Sequence, residues 1–283
     1  MITISTDKIA VDILDPIADR DKLGSRYCTG GYIWQLYGRD GRPLLSGPHF
    51  PSASPPVFDG QGMPEVFETP LGGEGGAVGS NVCVIGVGLV KKSSGIAPFH
   101  PRNNPHVARF CDWDIIERES DRVAMVTSQT FGGKSVKLRR MVRVEGNRVE
   151  SINTLANTGG SDVNLRWFSH PFFPPTANLS CGKIAPRIKL PDNAGYEMGA
   201  DGVISMKPDY PWEKGLFQVL DTPEAKLNFH ILHPAAGALN LQLDYNVTRC
   251  ALWANSRAFS FEPFTQRTVS ARGEASWGVA LAL

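Results

Sequence analysis

The sequence lacks an excess of charge of either sign and lacks any long apolar run. Its 283 residues include 29 lysines and arginines and 28 aspartates and glutamates, for a net charge of +1. The basic residues are scattered, so neither a nucleic acid nor an anionic membrane is expected as a partner. No stretch approaches the roughly 20 apolar residues of a membrane-spanning helix. The first residues show no basic start followed by a long apolar stretch, which predicts no signal peptide and a cytoplasmic location.

Cysteine pairs and the common nucleotide, protease and hydrolase motifs are also missing. The cysteines are odd in number, widely spaced and free of any C-x-x-C: Cys28, Cys83, Cys111, Cys181 and Cys250. This usage favours reduced thiols over a disulfide framework or a zinc site. The glycines between positions 72 and 79 lack P-loop spacing, and neither G-x-S-x-G nor H-E-x-x-H occurs. We therefore expect no cofactor and no metal ion.

Helical periodicity is nearly absent, whereas apolar and polar residues alternate with period two in segments such as 121–131 and 225–233. Residues 135–160 form two strand-like runs joined at Glu145-Gly146-Asn147, which predicts a hairpin. Many short strands separated by turn signals predict an all-β protein, a large antiparallel β-sandwich formed as a single domain by residues 1–283. The stretches 47–65 and 70–80 are rich in proline or glycine, and we interpret them as long loops suited to carrying binding groups.

Two ionisable residues stand among aromatic neighbours. His170 lies in WFSHPFFPP, and Glu262 lies between Phe261 and Pro263. A carboxylate that loses hydration among apolar side chains has a raised pKa, which suits a general acid or base near neutral pH. The alternative is structural: a core histidine with satisfied hydrogen bonds, and a glutamate in a salt bridge at a pocket rim.

These two stretches carry a family resemblance. The run NRVESINTLANTGGSDVNLRWFSHPFF resembles the part of the galactose mutarotase-like superfamily in which two strands lead to an H-x-[YF]-F motif, and FSFEPFTQ is similar to a late strand of that superfamily. The resemblance implies the large antiparallel supersandwich of the aldose 1-epimerases and hexose-6-phosphate mutarotases. It implies His170 as the general acid and Glu262 as the general base.

Further stretches resemble substrate-binding segments of the same superfamily. NNPHVARFCDW is similar to the segment of the first substrate histidine, which implies His106 and Arg109 as binding residues, with His100 as the competing histidine. GQGMPEVFETP resembles a G-x-P-E-x-F stretch and implies Glu65. The family's L-H-G-G is missing, and its N-H-x-Y-F-N is replaced by SHPFFP, so specificity for galactose does not follow.

The implied reaction interconverts the α and β anomers of a hexose or hexose phosphate. A base removes the C1 hydroxyl proton and an acid protonates the ring oxygen, so the pyranose opens and recloses without a metal or redox cofactor. Trp167 and Phe172 are expected to pack against the C–H face of this small-molecule carbohydrate, bound by a monomer or homodimer. Nearby basic residues are candidates for binding a phosphate, or they form a solvated basic loop: Lys91, Lys92, Arg102 and Arg109.

Two other classes of protein remain open. A non-catalytic carbohydrate-binding protein would keep the aromatic platform without needing both His170 and Glu262. A carbohydrate lyase or hydrolase is the other class, and a hydrolase would need a second carboxylate across the scissile bond.

Overall fold

The computed structural model describes residues 1–52 and 60–283, so residues 53–59 of the loop predicted at 47–65 lie outside the described part. The chain is built almost wholly of strands: β1 (Ile2–Ser5), β2 (Ile9–Ile13), β3 (Ile33–Gly38), β4 (Glu65–Phe67), β5 (Asn81–Val84), β6 (Gly88–Lys91), β7 (Val107–Phe110), β8 (Asp114–Arg118), β9 (Arg122–Phe131), β10 (Lys134–Glu145), β11 (Arg148–Asn157), β12 (Val163–Ser169), β13 (Ser180–Ala185), β14 (Tyr196–Met198), β15 (Ile204–Met206), β16 (Leu216–Leu220), β17 (Asn228–His233), β18 (Gly237–Leu243), β19 (Arg249–Ala254), β20 (Phe259–Val269) and β21 (Glu274–Ala282). Short 3-10 turns occur at Arg20–Lys22, Pro101–Asn103 and Trp212–Lys214. Within the described ranges no helix has the length and apolar character needed to cross a membrane.

The strands form two large sheets and two small ones. The ten-stranded sheet has the order β14-β15-β13-β17-β18-β21-β11-β10-β9-β8, and the five-stranded sheet has the order β16-β19-β20-β12-β4. The three-stranded sheets are β1-β2-β3 and β5-β6-β7. Paired strands run antiparallel throughout these sheets. The prediction of a large antiparallel β-sandwich is confirmed.

The hairpin between β10 and β11 shows why the sequence folds in this way. Glu145 pairs with Arg148, so Gly146 and Asn147 form a two-residue turn, and Gly146 adopts a φ of 58° that a glycine tolerates. Along β11 every second residue is buried. This alternation places one face of the strand in the core between the two large sheets and leaves the other face toward solvent.

The same alternation divides the five-stranded sheet into an inner and an outer face. On β12, Trp167 belongs to the main core, where it contacts Trp277 of the ten-stranded sheet. Phe168, the next residue, belongs to a second apolar cluster with Phe264 and with Tyr27 from the N-terminal segment. The outer face of this sheet is therefore covered by other segments of the chain and provides a place for a site.

A buried ion pair joins the two large sheets through the core. The Arg140 guanidinium, from the ten-stranded sheet, donates Nη2–H to Glu65 Oε1 at 2.9 Å, and Nη1 also donates to the same carboxylate. Glu65 also accepts hydrogen bonds from Ser151, Asn153 and Trp167. Both charged side chains are 1% exposed. Because each buried charge is paired and hydrogen-bonded, the cost of removing it from water is offset.

We predict that Glu65→Gln lowers the free energy of unfolding by about 3–5 kcal/mol, because it leaves the Arg140 charge uncompensated in the core. Urea unfolding measures the loss. The matched control is Glu117→Gln, which breaks ion pairs with Arg122 and Arg139 at the surface and should cost less than about 1 kcal/mol. Equal losses in the two variants would show that the buried pair does not hold the sheets together.

Candidate active site

A cavity of about 390 Å³ lies on the outer face of the five-stranded sheet. Its apolar wall includes four aromatic side chains, Phe168, Phe217, Trp253 and Phe264. Its charged and titratable groups are Arg26, Glu68, His100, Arg102, Arg249 and Glu262. Flat apolar surface combined with a few converging polar groups is typical of a small-molecule site.

Of the carboxyl groups that line this cavity, that of Glu262 lies deepest in the sheet. It sits on β20 opposite Ala251 of β19, whose small side chain leaves space above the sheet. The residue is 3% exposed, and burial raises the pKa of the carboxyl from 4.5 to about 8. The nearby charges of Arg26, Arg249 and Arg102 oppose that rise, and the charge of Glu68 adds to it. Glu262 is therefore largely protonated at neutral pH and exchanges its proton in a range useful for catalysis.

His170 touches Glu262 from behind the cavity wall. Its Nε2 lies 3.4 Å from Glu262 Oε1, and its Nδ1 is hydrogen-bonded to Ser260 Oγ at 2.8 Å. The ring stacks on Phe172 with centroids 4.3 Å apart, and the residue is 1% exposed. Burial lowers the pKa of His170 well below 6.5, so the imidazole is neutral at physiological pH. The two residues predicted to be catalytic are in contact, but of the two Glu262 is the one that lines the cavity.

Positive charge surrounds the cavity mouth. Arg249, on β19, lies with its guanidinium carbon 4.9 Å from the ring centroid of Phe264. Arg102 comes from the loop that leads to β7. Within the described ranges neither arginine forms an ion pair with a carboxylate. Arginines that line a cavity without an acidic partner favour an anionic ligand, because phosphate and carboxylate accept paired N–H bonds from guanidinium.

His100 is the predicted substrate histidine that the structure brings to the cavity. Its Nε2 lies 3.3 Å from Glu68 Oε1, and its Nδ1 accepts the backbone N–H of Arg102 at 3.0 Å. His106, the other candidate for the substrate histidine, is exposed at the end of the same loop that leads into β7, and it does not line the cavity. The backbone carbonyl of His106 accepts the N–H of Lys91. Of the two candidate histidines, His100 is the one that lines the cavity.

Trp167 and Glu65, two further predicted site residues, lie between the sheets and not at the cavity. Successive side chains on a strand point to opposite faces, so Trp167 faces away from the side on which His170 lies. Its indole N–H donates to Glu65, whose carboxylate is occupied by Arg140. Phe172 is 1% exposed and supports the His170 ring from below, without lining the cavity.

The remaining predicted basic residues lie elsewhere on the surface. Arg109 lines a separate cavity with Cys83 and Cys111, and its guanidinium lies 3.8 Å from Asp112. Lys92 donates to two backbone carbonyls of the 70–80 loop. Lys91 is exposed and does not line the cavity. Of the four basic candidates for a phosphate site, Arg102 is the one that lines the cavity.

Several residues that line the cavity were not predicted from the sequence: Arg26, Glu68, Phe217, Arg249 and Trp253. The segment RCALWA holds a usable signal, since Arg249 and Trp253 alternate with apolar residues and so share a face. That this face adjoins Glu262 depends on the pairing of β19 with β20, which the sequence does not reveal.

A larger cavity, of about 470 Å³, lies on the outer face of the ten-stranded sheet. Its polar side chains bond to one another: Arg143 and Arg148 both donate to Glu150. It has no aromatic wall among its described lining residues, and it holds neither His170 nor Glu262. Glu262, the general base implied by the sequence resemblance, lines the smaller cavity.

Comparison with solved structures identifies the architecture, although no protein-family model and no curated protein matches the sequence. A galactose mutarotase related enzyme from Lactobacillus acidophilus superimposes with a TM-score of 0.65 at 11% identity, over 99% of this chain and 96% of that one. A galactose mutarotase-like protein from Lactobacillus casei gives 0.61 at 13% identity, over 100% and 99%. An aldose epimerase homologue from C. elegans gives 0.54 at 10% identity, over 99% and 97%. The chain thus has the galactose mutarotase-like fold.

Proposed function

We propose that the protein is a mutarotase, an isomerase that interconverts the α and β anomers of a negatively charged aldose such as a hexose phosphate. The observation that carries the proposal is the contact between Glu262 and His170 at the wall of an aromatic cavity. Solved structures with the same fold include a galactose mutarotase related enzyme and an aldose epimerase homologue, which supports this class of reaction.

Ring opening transfers one proton away from the C1 hydroxyl and one proton to the ring oxygen, while the bond between C1 and the ring oxygen breaks. Glu262, in its ionised form, removes the hydroxyl proton. Glu262 then returns the proton to the ring oxygen, and the neutral His170 ring, 3.4 Å away, holds the carboxyl in position for both transfers. Rotation about the bond between C1 and C2 and the reverse transfers then close the ring on its other face. A positioned proton carrier of this kind contributes about 10²–10⁴-fold to the rate.

The apolar floor holds the sugar in place for these transfers. Phe168 and Phe264 stack on one another with ring centroids 4.2 Å apart and line the cavity beside Glu262. Trp253 presents an edge to the His170 ring from the neighbouring strand. The C–H face of a pyranose packs on such rings, and the same rings exclude water, which strengthens the electrostatic interactions of Glu262.

The arginines at the mouth select the charge of the substrate. Arg102 and Arg249 line the cavity together with Arg26, and all three act on the Glu262 carboxyl electrostatically. A phosphate or carboxylate group on the sugar would receive charge-assisted hydrogen bonds from them. A neutral hexose has no anionic group for Arg102 and Arg249 to bind, so the anionic sugar is the favoured substrate.

We predict that Glu262→Gln lowers the rate of anomer interconversion by at least about 100-fold, because an amide does not accept the hydroxyl proton. His170→Asn should lower the rate less, since Glu262 still reaches the sugar. Exchange spectroscopy by NMR on glucose and glucose 6-phosphate measures both rates, and ligand binding is expected to survive in both variants. Interconversion at the wild-type rate in Glu262→Gln would end this proposal. A wild-type protein that binds sugar without interconverting it would be a carbohydrate-binding protein.

Arg249→Gln and Arg102→Gln should each raise the KM for glucose 6-phosphate by about 10–100-fold, the usual effect of losing a hydrogen bond between charged groups. The KM for free glucose should change by less than about two-fold, because it has no anion for these side chains to bind. Arg109→Gln, in the separate cavity, serves as the control and should leave both substrates unaffected. Equal kinetics for the free and phosphorylated sugars in the wild type would show that the cavity has no anion site.

Glu262→Gln should also change how stability depends on pH. The folded protein keeps the Glu262 proton up to about pH 8, whereas the unfolded chain releases it near pH 4.5. Unfolding therefore releases a proton between these values, so ionising Glu262 destabilises the fold as pH rises through this window, by about 3–5 kcal/mol in full. The Glu262→Gln variant has no such ionisation and therefore lacks this loss of stability. Its melting temperature relative to wild type should be higher at pH 8.5 than at pH 5.

The ionisation of His170 does not affect this comparison of melting temperatures. Its lowered pKa destabilises the fold as pH falls below 6.5, but it is present in both proteins and cancels in the difference. Thermal melts of the two proteins at both pH values make the measurement. The same difference in melting temperature at pH 5 and pH 8.5 would contradict a raised pKa for Glu262.

A further inference from the structure

Ser260 and Glu262 contact the two ring nitrogens of His170 from one strand. The two residues lie two positions apart on β20, so their side chains are on the same face of the sheet. Ser260 Oγ lies 2.8 Å from Nδ1 of the ring, and Glu262 Oε1 lies 3.4 Å from Nε2. A neutral imidazole carries one N–H group, so one nitrogen donates a hydrogen bond while the other accepts one. The position of the ring proton therefore determines whether Glu262 faces a donor or a lone pair.

The His170 ring is held in one orientation, so only the position of its proton is left to be determined. The ring stacks on Phe172 with centroids 4.3 Å apart, and the rings of Trp253 and Tyr27 meet it edge-on at 6.1 and 6.2 Å. The backbone N–H of His170 donates to the carbonyl of Pro64 at 2.8 Å. Because these contacts enclose a residue that is 1% exposed, each ring nitrogen keeps its neighbour.

The Ser260 hydroxyl has a single acceptor for its proton. Ser260 is 0% exposed, and among the residues that the structure describes its side chain is hydrogen-bonded to His170 Nδ1 alone. If Nδ1–H donated to the hydroxyl, the proton of the serine itself would be buried without an acceptor, which is unfavourable. The serine is therefore the donor and Nδ1 the acceptor in this hydrogen bond. The proton of the neutral ring is then on Nε2, the nitrogen that faces Glu262.

An N–H group directed at Glu262 has two consequences for the carboxyl. The donor favours the ionised form, which is the form that removes a proton from a sugar. It also prevents the imidazole from accepting the carboxyl proton, since Nε2 has no free lone pair in this tautomer. With the ring proton on Nδ1 instead, the Nε2 lone pair would draw the carboxyl proton away from the cavity and would repel the carboxylate. The tautomer with Nε2–H leaves the proton of Glu262 available to a ligand.

We propose that Ser260 is a positioning residue: by donating to His170 Nδ1 it holds the ring proton on Nε2 and leaves the Glu262 carboxyl free to exchange its proton with the sugar. Ser260 does not line the cavity, so it acts only through the imidazole. The proposal rests on the proposed function for the role of Glu262 in the reaction. The tautomer of His170 is independent of that function and is measured without a substrate.

The first test determines the tautomer by nitrogen NMR of the histidine rings at pH 7, where the His170 ring is neutral. The signal that is missing from His170→Asn identifies this ring among the six histidines. In the wild type the proton should be found on Nε2. In Ser260→Ala a form with Nδ1–H should appear, because Nδ1 has lost its donor and the protonated Glu262 carboxyl can donate to Nε2. A wild-type ring protonated on Nδ1 would overturn the proposal, whether or not the variants fold.

Two further variants separate the hydrogen bond of Ser260 from a general effect of substitution in the core. Ser169→Ala is the matched control, because Ser169 is also 0% exposed and directly precedes His170. Its Oγ has no hydrogen-bond partner among the described residues, so its removal should leave the tautomer unchanged. Ser260→Thr keeps a hydroxyl at the position and should keep the ring proton on Nε2.

The second test follows anomer exchange of glucose 6-phosphate between pH 7 and pH 9.5, where the phosphate is already ionised. The rise of kcat/KM near pH 8 reports the ionisation of Glu262. Ser260→Ala should move this rise upward by about one pH unit and lower kcat about 10-fold at pH 7, because the carboxylate loses a hydrogen bond. KM should stay within about two-fold, since Ser260 does not line the cavity. The other charged groups that act on the Glu262 carboxyl are the same in both proteins: Arg26, Glu68, Arg102 and Arg249.

Two further results would overturn the positioning role of Ser260. One is an Nε2–H ring that persists unchanged in Ser260→Ala, and the other is a loss of rate in this variant that is the same at every pH. The second result would mean that the serine contributes only to the packing of the core. A wild type that has the Nε2–H tautomer but interconverts no anomers would leave the hydrogen bond from Ser260 in place and would end the mutarotase proposal instead.

Discussion

The pairing of Arg140 with Glu65 is the constraint on which the site depends. Two charges buried in the core are tolerated when nearly every donor and acceptor is used, so the strands that supply the partners must keep fixed positions. Glu65 lies on β4 and Trp167 on β12, and both donate or accept within this network. Phe168 lies on β12 and Glu68 directly follows β4, and both side chains line the cavity. A shift of either strand would break the buried network, and the network therefore fixes the floor of the cavity.

Burial has opposite consequences on the two faces of the five-stranded sheet. On the inner face Glu65 meets a guanidinium and further donors, and its charge is compensated. On the outer face Glu262 meets the neutral ring of His170, and the lost hydration is left to raise its pKa. The charges of the arginines that line the cavity limit that rise in the pKa. An anionic substrate would occupy those arginines and reduce their effect on Glu262.

The sequence predicted the fold class and the β10–β11 hairpin, because alternation with period two and a turn containing glycine are local signals. The sequence also indicated His170 and Glu262 as candidate site residues. Their contact depends on the pairing of β12 with β20, for which the sequence holds no local signal. Alternation along a strand is a further local signal, because it places the side chains of Trp167 and His170 on opposite faces of the sheet. The positions of Arg26, Arg102 and His100 follow from loop paths, and loops are set by contacts distant in sequence.

Glu65 and Glu262 are both buried but differ in the number of hydrogen-bond donors around the carboxylate. Glu65 accepts five hydrogen bonds, so no capacity remains for a ligand, and its role is structural. Glu262 touches one neutral imidazole, which leaves its proton exchangeable. A carboxylate whose hydrogen-bond donors are supplied by the fold keeps its charge in place, whereas a carboxylate that is buried with few donors has a raised pKa and a proton that it can exchange.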